Sequence, residues 1–344
     1  MTDEQSENFE KEESIYKAFL SDSKRESENN LSFSEDEQRK IINTGKNTAR
    51  ITNIMISLAV LLLIIPVMTL VTYMYYSLGG EANRLIEVAG KTIYVTEPNI
   101  SLEEMEIEHD IGFFSMNIFF DVYKRIGKDT YKVGNYDIYF ALDKPSFPKK
   151  NTLLERPLPE IPQVETEILL HPKANVPFNR DSEWEILKGL PNGTVAEVYV
   201  SLNKLMKPED LKSILQTDTE IRWLAVDTGL EAKQVDSEGV PITPLGYPAQ
   251  IDSTIWSPFN GREQNNEEVF KDILSLLEKN EDVAEKVARA KSLEIKERLA
   301  YIEENGIKVY GAVITGPTSE LRKLEQISEI RAMKVGEVKL WNWK

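Results

Sequence analysis

The stretch Ile54-Met-Ile-Ser-Leu-Ala-Val-Leu-Leu-Leu-Ile-Ile-Pro-Val-Met-Thr-Leu-Val-Thr-Tyr-Met-Tyr-Tyr76 decides how the rest of the chain is read. It lies inside a longer run, Ile51 to Gly80, that carries no charged side chain and is closed by Arg50 on one side and Glu81 on the other. A bilayer core takes about 20 apolar residues as helix, and this run meets that length. Tyr73, Tyr75 and Tyr76 gather at one end in the manner of an interfacial aromatic belt. Pro66 in mid-span removes one backbone donor and predicts a kink. A buried core helix is the first alternative, but such helices are shorter and less continuous. A signal peptide is the second. It would need an n-region of 50 residues, and Gly80-Glu81-Ala82 is a poor cleavage site. The stretch therefore reads as a single retained transmembrane helix over residues 51–78.

Charge on either side of the span orients it. Arg39, Lys40, Lys46 and Arg50 precede it closely, whereas Arg84 is the only cation between it and Lys91. The excess of Lys and Arg marks the cytoplasmic side, so the N-terminus is expected inside and residues 81–344 outside. That exterior part is long enough to bury a core without disulfides, and it has to, because the chain contains no Cys. Thiolate catalysis and every Cys-containing zinc site are excluded with the disulfides. The chain holds 57 acidic against 41 basic residues, a net charge of −16, which disfavours direct nucleic-acid binding. His109 and His171 are the only histidines. They are too few for a His-rich metal site, and far apart in the chain they are expected at the surface. No metal and no cofactor is expected.

Residues 1–50 are polar, with 12 acidic and 8 basic side chains. Residues 21–32 read as disordered linker, low in apolar content and rich in Ser, Asn and Glu. Two helical pieces stand out. Phe9, Ile15, Tyr16, Phe19 and Leu20 fall on one stripe of a helix. Ser34 with Glu37 forms the Ser-x-x-Glu capping pattern, opening a helix that runs through Ile41 and Ile42 into the span. So short a segment has too little apolar content for a core of its own. The candidate contact residues Ile15, Tyr16, Phe19, Leu20, Ile41 and Ile42 therefore need another surface, either a partner protein or the inner leaflet. The modest basic charge of the stripe favours the protein.

Beyond the span the chain reads as an α+β exterior domain with a β-rich membrane-proximal part. Leu85 to Pro98 is expected as helix breaking into a strand over Lys91–Thr96. Residues 113–124 and 131–142, rich in aromatic and β-branched side chains around a turn at Gly127-Lys-Asp-Thr130, predict a hairpin. Residues 143–162, with five prolines, read as a connector, and 167–170 as a short strand. Two βαβ-like units follow. In the first, a strand over 195–202 leads to a helix opened by Pro208 and a strand over 221–226. In the second, a strand over 309–315 leads to Pro317, a helix and a strand over 330–335. Pro208 corresponds to Pro317, and Ile221-Arg222 to Ile330-Arg331. Between the units, Pro241 to Arg262 carries Tyr247, Trp256 and Phe259 as exposed-looking aromatics. Glu267 to Asn305 reads as one or two amphipathic helices closed by Gly306. The expected division is 1–50, 51–78, 81–162 and 163–344.

Catalytic signals are thin. The sequence contains no Walker loop, no Gly-x-Ser-x-Gly elbow and no His-Glu-x-x-His. Asp227-Thr-Gly229 is a single copy where an aspartic dyad needs two carboxylates, so it reads as a strand-end turn. Gly316-Pro-Thr-Ser319 reads as an ordinary helix start, and Asn192-Gly193 as a turn. The chain is not expected to be an enzyme.

Leu190-Pro-Asn-Gly-Thr-Val-Ala-Glu-Val-Tyr-Val-Ser-Leu202, Trp223-Leu-Ala-Val-Asp-Thr-Gly229, Tyr310-Gly-Ala-Val-Ile-Thr-Gly316 and Ile330-Arg-Ala-Met-Lys-Val-Gly336 resemble the membrane-anchored sigma-factor regulators of Gram-positive bacteria. These are anti-sigma factors of extracytoplasmic-function sigma factors. The order of parts agrees: short cytoplasmic piece, one span, long exterior domain. The resemblance covers about residues 35–344. It implies that residues 1–50 sequester an extracytoplasmic-function sigma factor and that the exterior domain regulates this, with a second small membrane protein as a further partner. The zinc-binding His/Cys motif of many anti-sigma factors is missing here. An anchored exterior ligand- or protein-binding module is the alternative reading.

Overall fold

A computed structural model describes residues 3–30, 34–102, 108–153, 169–175, 180–215, 218–233, 235, 239–240, 242–250 and 257–343. The chain divides into two compact units, Met1–Val67 and Met68–Lys344.

The first unit is helical. It consists of α1 (Asp3–Asn30) and most of α2 (Glu35–Tyr73). The predicted capping box is present: Glu37 N–H donates to Ser34 Oγ at 3.3 Å and Ser34 N–H donates to Glu37 Oε2 at 3.0 Å. With its first turn satisfied and Glu35, Asp36 and Glu37 at its positive end, α2 runs without a break through Ile41, Ile42 and Pro66. It is long and apolar enough to cross a membrane, and none of its apolar window is buried. Of the expected linker over 21–32, residues 21–30 continue α1 and 31–32 lie outside the described residues. Good helix formers such as Lys24, Arg25, Glu26 and Glu28 extend α1 where low apolar content alone suggests linker.

The second unit opens with the end of α2, a π-helical turn Met74–Leu78, and α3 (Glu81–Thr96). The strand expected over Lys91–Thr96 is instead the last part of α3. Thr92 and Thr96 turn their hydroxyls onto the carbonyls of Val88 and Thr92, both at 2.7 Å. All six residues are buried, and that packing overrides the β preference of their branched side chains.

The first sheet follows: β1 (Ser101–Leu102), β2 (Glu108–Ile111), β3 (Ser115–Ile126), β4 (Asp129–Ala141), β5 (Lys144–Pro145) and β6 (Lys149–Thr152). β3 and β4 are the predicted hairpin, antiparallel from Ser115↔Ala141 to Ile126↔Asp129. Met116, Ile118, Phe120 and Val122 alternate inward along β3, as a sheet with one buried face requires. Gly127, at φ +68°, makes the tight turn that joins the strands. β1 and β2 flank β3, and β5 and β6 flank β4. The connector expected over 143–162 thus supplies two edge strands before residue 153; its remainder from 154 lies outside the described residues. Of the strand expected over 167–170, Leu169 and Leu170 are buried outside any strand and the first two residues are not described.

The remaining elements are α4 (Arg180–Gly189), β7 (Thr194–Met206), α5 (Pro208–Ile214), β8 (Glu220–Val226), β9 (Leu245–Pro248), α6 (Asn266–Glu278), α7 (Glu281–Ala288), α8 (Ile295–Asn305), β10 (Val309–Pro317), α9 (Thr318–Leu321) and β11 (Ile330–Leu340). A 3-10 turn, Arg322–Gln326, leads from α9 towards β11. The second sheet has the order β11-β7-β10-β8-β9, antiparallel throughout. β7 and β8 therefore run parallel with β10 between them, and β10 and β11 run parallel with β7 between them. The two predicted βαβ units are interlocked split units, the ferredoxin-like arrangement. Each proline stands where its unit turns from strand to helix, Pro208 as the first residue of α5 and Pro317, one position earlier, as the last residue of β10 and the N-cap of α9.

The long connection from β8 to β10 carries β9 and the helices α6, α7 and α8, three where one or two were expected. Asn265 and Glu268 cap α6 reciprocally. Its Val269, Phe270, Ile273, Leu274 and Leu277 are buried. α3 packs against α6, α7 and β9. Tyr247 and Phe259, which look exposed in a polar loop, are only 2% and 1% exposed. Tyr247 lies on β9 against Phe270, with ring centroids 5.3 Å apart, and Phe259 faces Tyr94 of α3. Trp256 lies outside the described residues. The remote end of the β3–β4 hairpin is clamped by the C-terminal tail. Asn342 donates to Ile126 O at 2.8 Å and accepts from Lys128 N–H at 3.1 Å, while Gly127 N–H donates to Thr315 Oγ1 of β10 at 2.7 Å.

Candidate partner-binding site

α1 holds four of the six predicted contact residues. At 100° per residue, Ile15, Tyr16, Phe19 and Leu20 span an arc of about 140°, one face of the helix. They are 64%, 64%, 70% and 50% exposed. The side chain of Phe9 is outside the described residues. Glu13 and Lys17 form an exposed i,i+4 pair at 2.9 Å, which supports the helix by only a few tenths of a kcal/mol. Ile41 and Ile42 sit on the second turn of α2, 55% and 54% exposed. Six large apolar side chains thus lie open on α1 and on the polar first turns of α2, ahead of the apolar run of α2 itself. Isolated helices gain their stability by covering such faces, so this arrangement is suited to an apolar groove in another molecule.

In the second unit the acidic cluster at the end of β8 is enclosed by the fold. Asp227 is 4% exposed at the end of β8. It accepts from Gly229 N–H at 3.2 Å and from Tyr301 OH at 3.0 Å, and His171 Nε2 lies 3.5 Å away. His171 is thus not a surface residue as expected: it is buried against Asp227 and the Tyr310 ring. His109, on β2, is exposed. Burial pushes the Asp227 carboxyl up, but the adjacent His171 ring and the hydrogen bonds from Gly229 and Tyr301 outweigh it and hold the group below the usual carboxylate range. Burial and the hydrogen bond to Asp227 push Tyr301 up to about 12. Nearby, Glu231 accepts from Thr228 N–H and Oγ1 at 2.8 and 2.6 Å and pairs with buried Arg298 at 3.5 Å. The carboxylates of this network are spent on the fold. Asp227 is the expected strand-end turn, here locked by residues distant in the chain.

A second buried pair joins the two sheets. Glu197 on β7 is fully buried, accepting from Lys124 Nζ on β3 at 3.1 Å and from Asn99 Nδ2 at 2.7 Å. Among the described residues no group of His, Asp and Glu is placed to hold a metal ion.

Comparison with known proteins gives two families and one relative. The family described as sigma factor regulator C-terminal matches residues 187–337, and that described as sigma factor regulator N-terminal matches residues 39–131. The chain is 30% identical over 352 aligned positions to the "Probable anti-sigma-M factor YhdL" of Bacillus subtilis (strain 168), with 100% of this chain and 95% of that protein covered. No solved structure matches the chain significantly.

Proposed function

The chain belongs to the sigma factor regulator family, the anti-sigma factors, and from that premise we propose that residues 1–50 hold an extracytoplasmic-function sigma factor at the inner face of the membrane. α2 is the anchor, with its N-terminus in the cytoplasm and residues 81–344 outside. The exterior domain, ending in the unit 163–344, has no enzymatic role and governs release of the sigma factor, alone or with a second small membrane protein. The observation that carries the reading is the open apolar face of Ile15, Tyr16, Phe19 and Leu20 on a helix that buries none of them. Ile41 and Ile42 extend that contact toward the membrane.

The test is affinity purification of the full-length chain from solubilised membranes, followed by identification of the cytoplasmic proteins retained. The expected result is one sigma factor, lost when Phe19 and Leu20 are replaced by serine. Retention of no sigma factor by the unaltered chain would leave the exterior binding module as the better reading. A reporter that functions only outside the cell, fused after Lys344, checks the orientation.

A further inference from the structure

Two reversals of the first sheet end beside the last turns of the apolar helix. One is 112–114, between β2 and β3; the other is 142–143, between β4 and β5. Phe114 N–H donates to Thr72 Oγ1 at 3.2 Å, Leu142 N–H donates to Phe114 O at 3.1 Å, and Tyr76 OH donates to Leu142 O at 2.7 Å. The reversals are thereby pinned to each other and to residues 72–76. Thr72 lies one helical turn before Tyr76, about 6 Å of rise, so Phe114 is held at the depth of the tyrosine belt and not beyond it.

What these reversals present is apolar and open. Phe113 is 50% exposed and Leu142 41%, and they share this end of the unit with the exposed Tyr73 and Leu78. The Phe113 and Phe114 rings pack edge to face, 4.5 Å apart. Phe114 and Leu142 have φ of +51° and +58°. Gly and Asn are the usual occupants of that conformation, and a bulky apolar residue there is an outlier. Irregular backbone is tolerated at membrane depth only when its polar groups are bonded within the protein. The bonds above meet that demand for the Phe114 and Leu142 peptides. Asp143, the second residue of the 142–143 reversal, is exposed beside Leu142, and Lys144 follows it at the start of β5, so a charge stands at the headgroup level of this end.

We infer that these two reversals enter the headgroup–acyl boundary of the leaflet that receives the tyrosine end of α2. The second unit then lies against the membrane surface, held by a second contact beside the helix. The occupant of the apolar patch is lipid, because the patch is bonded to residues 72–76, the tyrosine end that the anchor already places at the bilayer interface. The inference rests on the reading of α2 as a membrane anchor.

The absence of cysteine makes the test clean. Single nitroxide labels are placed by Phe113→Cys, Leu142→Cys, Leu62→Cys within the apolar helix and Asp129→Cys at the opposite end of the hairpin. All four positions are exposed, so none should disturb the core, and thermal unfolding checks this. Each full-length variant is reconstituted in vesicles of equal parts phosphatidylcholine and phosphatidylglycerol. Collision with oxygen is then compared with collision with a water-soluble nickel chelate. The expected result is a ratio at 113 and 142 shifted several-fold from that at 129 toward that at 62. Ratios at 113 and 142 equal to that at 129 would overturn the inference. So would labels shielded from both reagents, which would mean that protein covers the patch. A water-like label at 62 would overturn the anchor and this inference together, and that position tells the two failures apart.

Discussion

α1 and α3 are both helices with an apolar face, and they end in opposite states. Along α3 the residues from Val88 to Thr96 are buried without exception, covered by α6, α7 and β9. Along α1 no described side chain is buried, and Phe19 is 70% exposed. The pattern in sequence is comparable; the difference is whether the chain supplies a covering surface. Burying a Phe or Leu side chain contributes about 1.5–3 kcal/mol. In α3 that free energy is spent on the fold. In α1 it remains available for binding. Substitutions in the two regions should therefore separate cleanly, one set acting on stability and the other on association.

The largest effect belongs to Trp223, which is 1% exposed and donates from Nε1 to Tyr94 O of α3 at 3.2 Å. It packs so closely on β9 that a Cβ at Gly246 would lie 2.4 Å from its ring. Trp223→Ala should lower stability by about 3–5 kcal/mol, read from thermal or denaturant unfolding of the full chain. An unchanged midpoint would mean that the second unit is not held together as described. Lys124→Met comes next. It leaves Glu197 buried without its ion-pair partner and should cost about 3 kcal/mol. Adding Glu197→Gln should recover part of that loss; no recovery would show that the lysine acts through packing.

Phe19→Ser together with Leu20→Ser should leave the unfolding midpoint where it is and weaken sigma-factor binding by one to two orders of magnitude, at about 1.4 kcal/mol per tenfold. A large fall in stability would erase the contrast with α3. Tyr301→Phe sharpens it from the other side. It removes one donor to Asp227 and should cost about 1 kcal/mol at neutral pH. Because the folded carboxyl titrates below its unfolded value of about 4, this stability is present above that pH and lost as pH falls through the folded value. The gap between variant and parent should accordingly narrow in acid. The smallest effect is that of Lys17→Ala, a few tenths of a kcal/mol at most, with binding unchanged; a large loss of binding would place charge, and not the apolar face, at the centre of the contact.

Much of the fold was legible because its causes are local. The Ser34–Glu37 cap, the charge-free run of α2, the β3–β4 hairpin with its tight turn, the amphipathic α6 and the final cap at Gly306 each depend on residues within a few positions of one another. That Ile15, Tyr16, Phe19 and Leu20 share one helical face was legible for the same reason, since a helical stripe is a short-range pattern. Less legible were segments whose local preference and surroundings disagree. Lys91–Thr96 looks like strand and is helix. Tyr247 and Phe259 look like loop aromatics and are core.

The sequence by itself determined the apolar helix, the αβ alternation, the paired βαβ pattern and the absence of cysteine chemistry, because composition and near-neighbour spacing suffice for these. Only the tertiary structure decided that β10 lies between β7 and β8, and that β7 lies between β10 and β11. It alone placed His171 and Tyr301 on Asp227, separated by 56 and 74 positions, and Phe114 on Thr72, 42 positions apart. Pairings at such distances are chosen by which surfaces fit and which buried polar groups find partners once the whole chain has collapsed, and no short stretch of sequence carries that information.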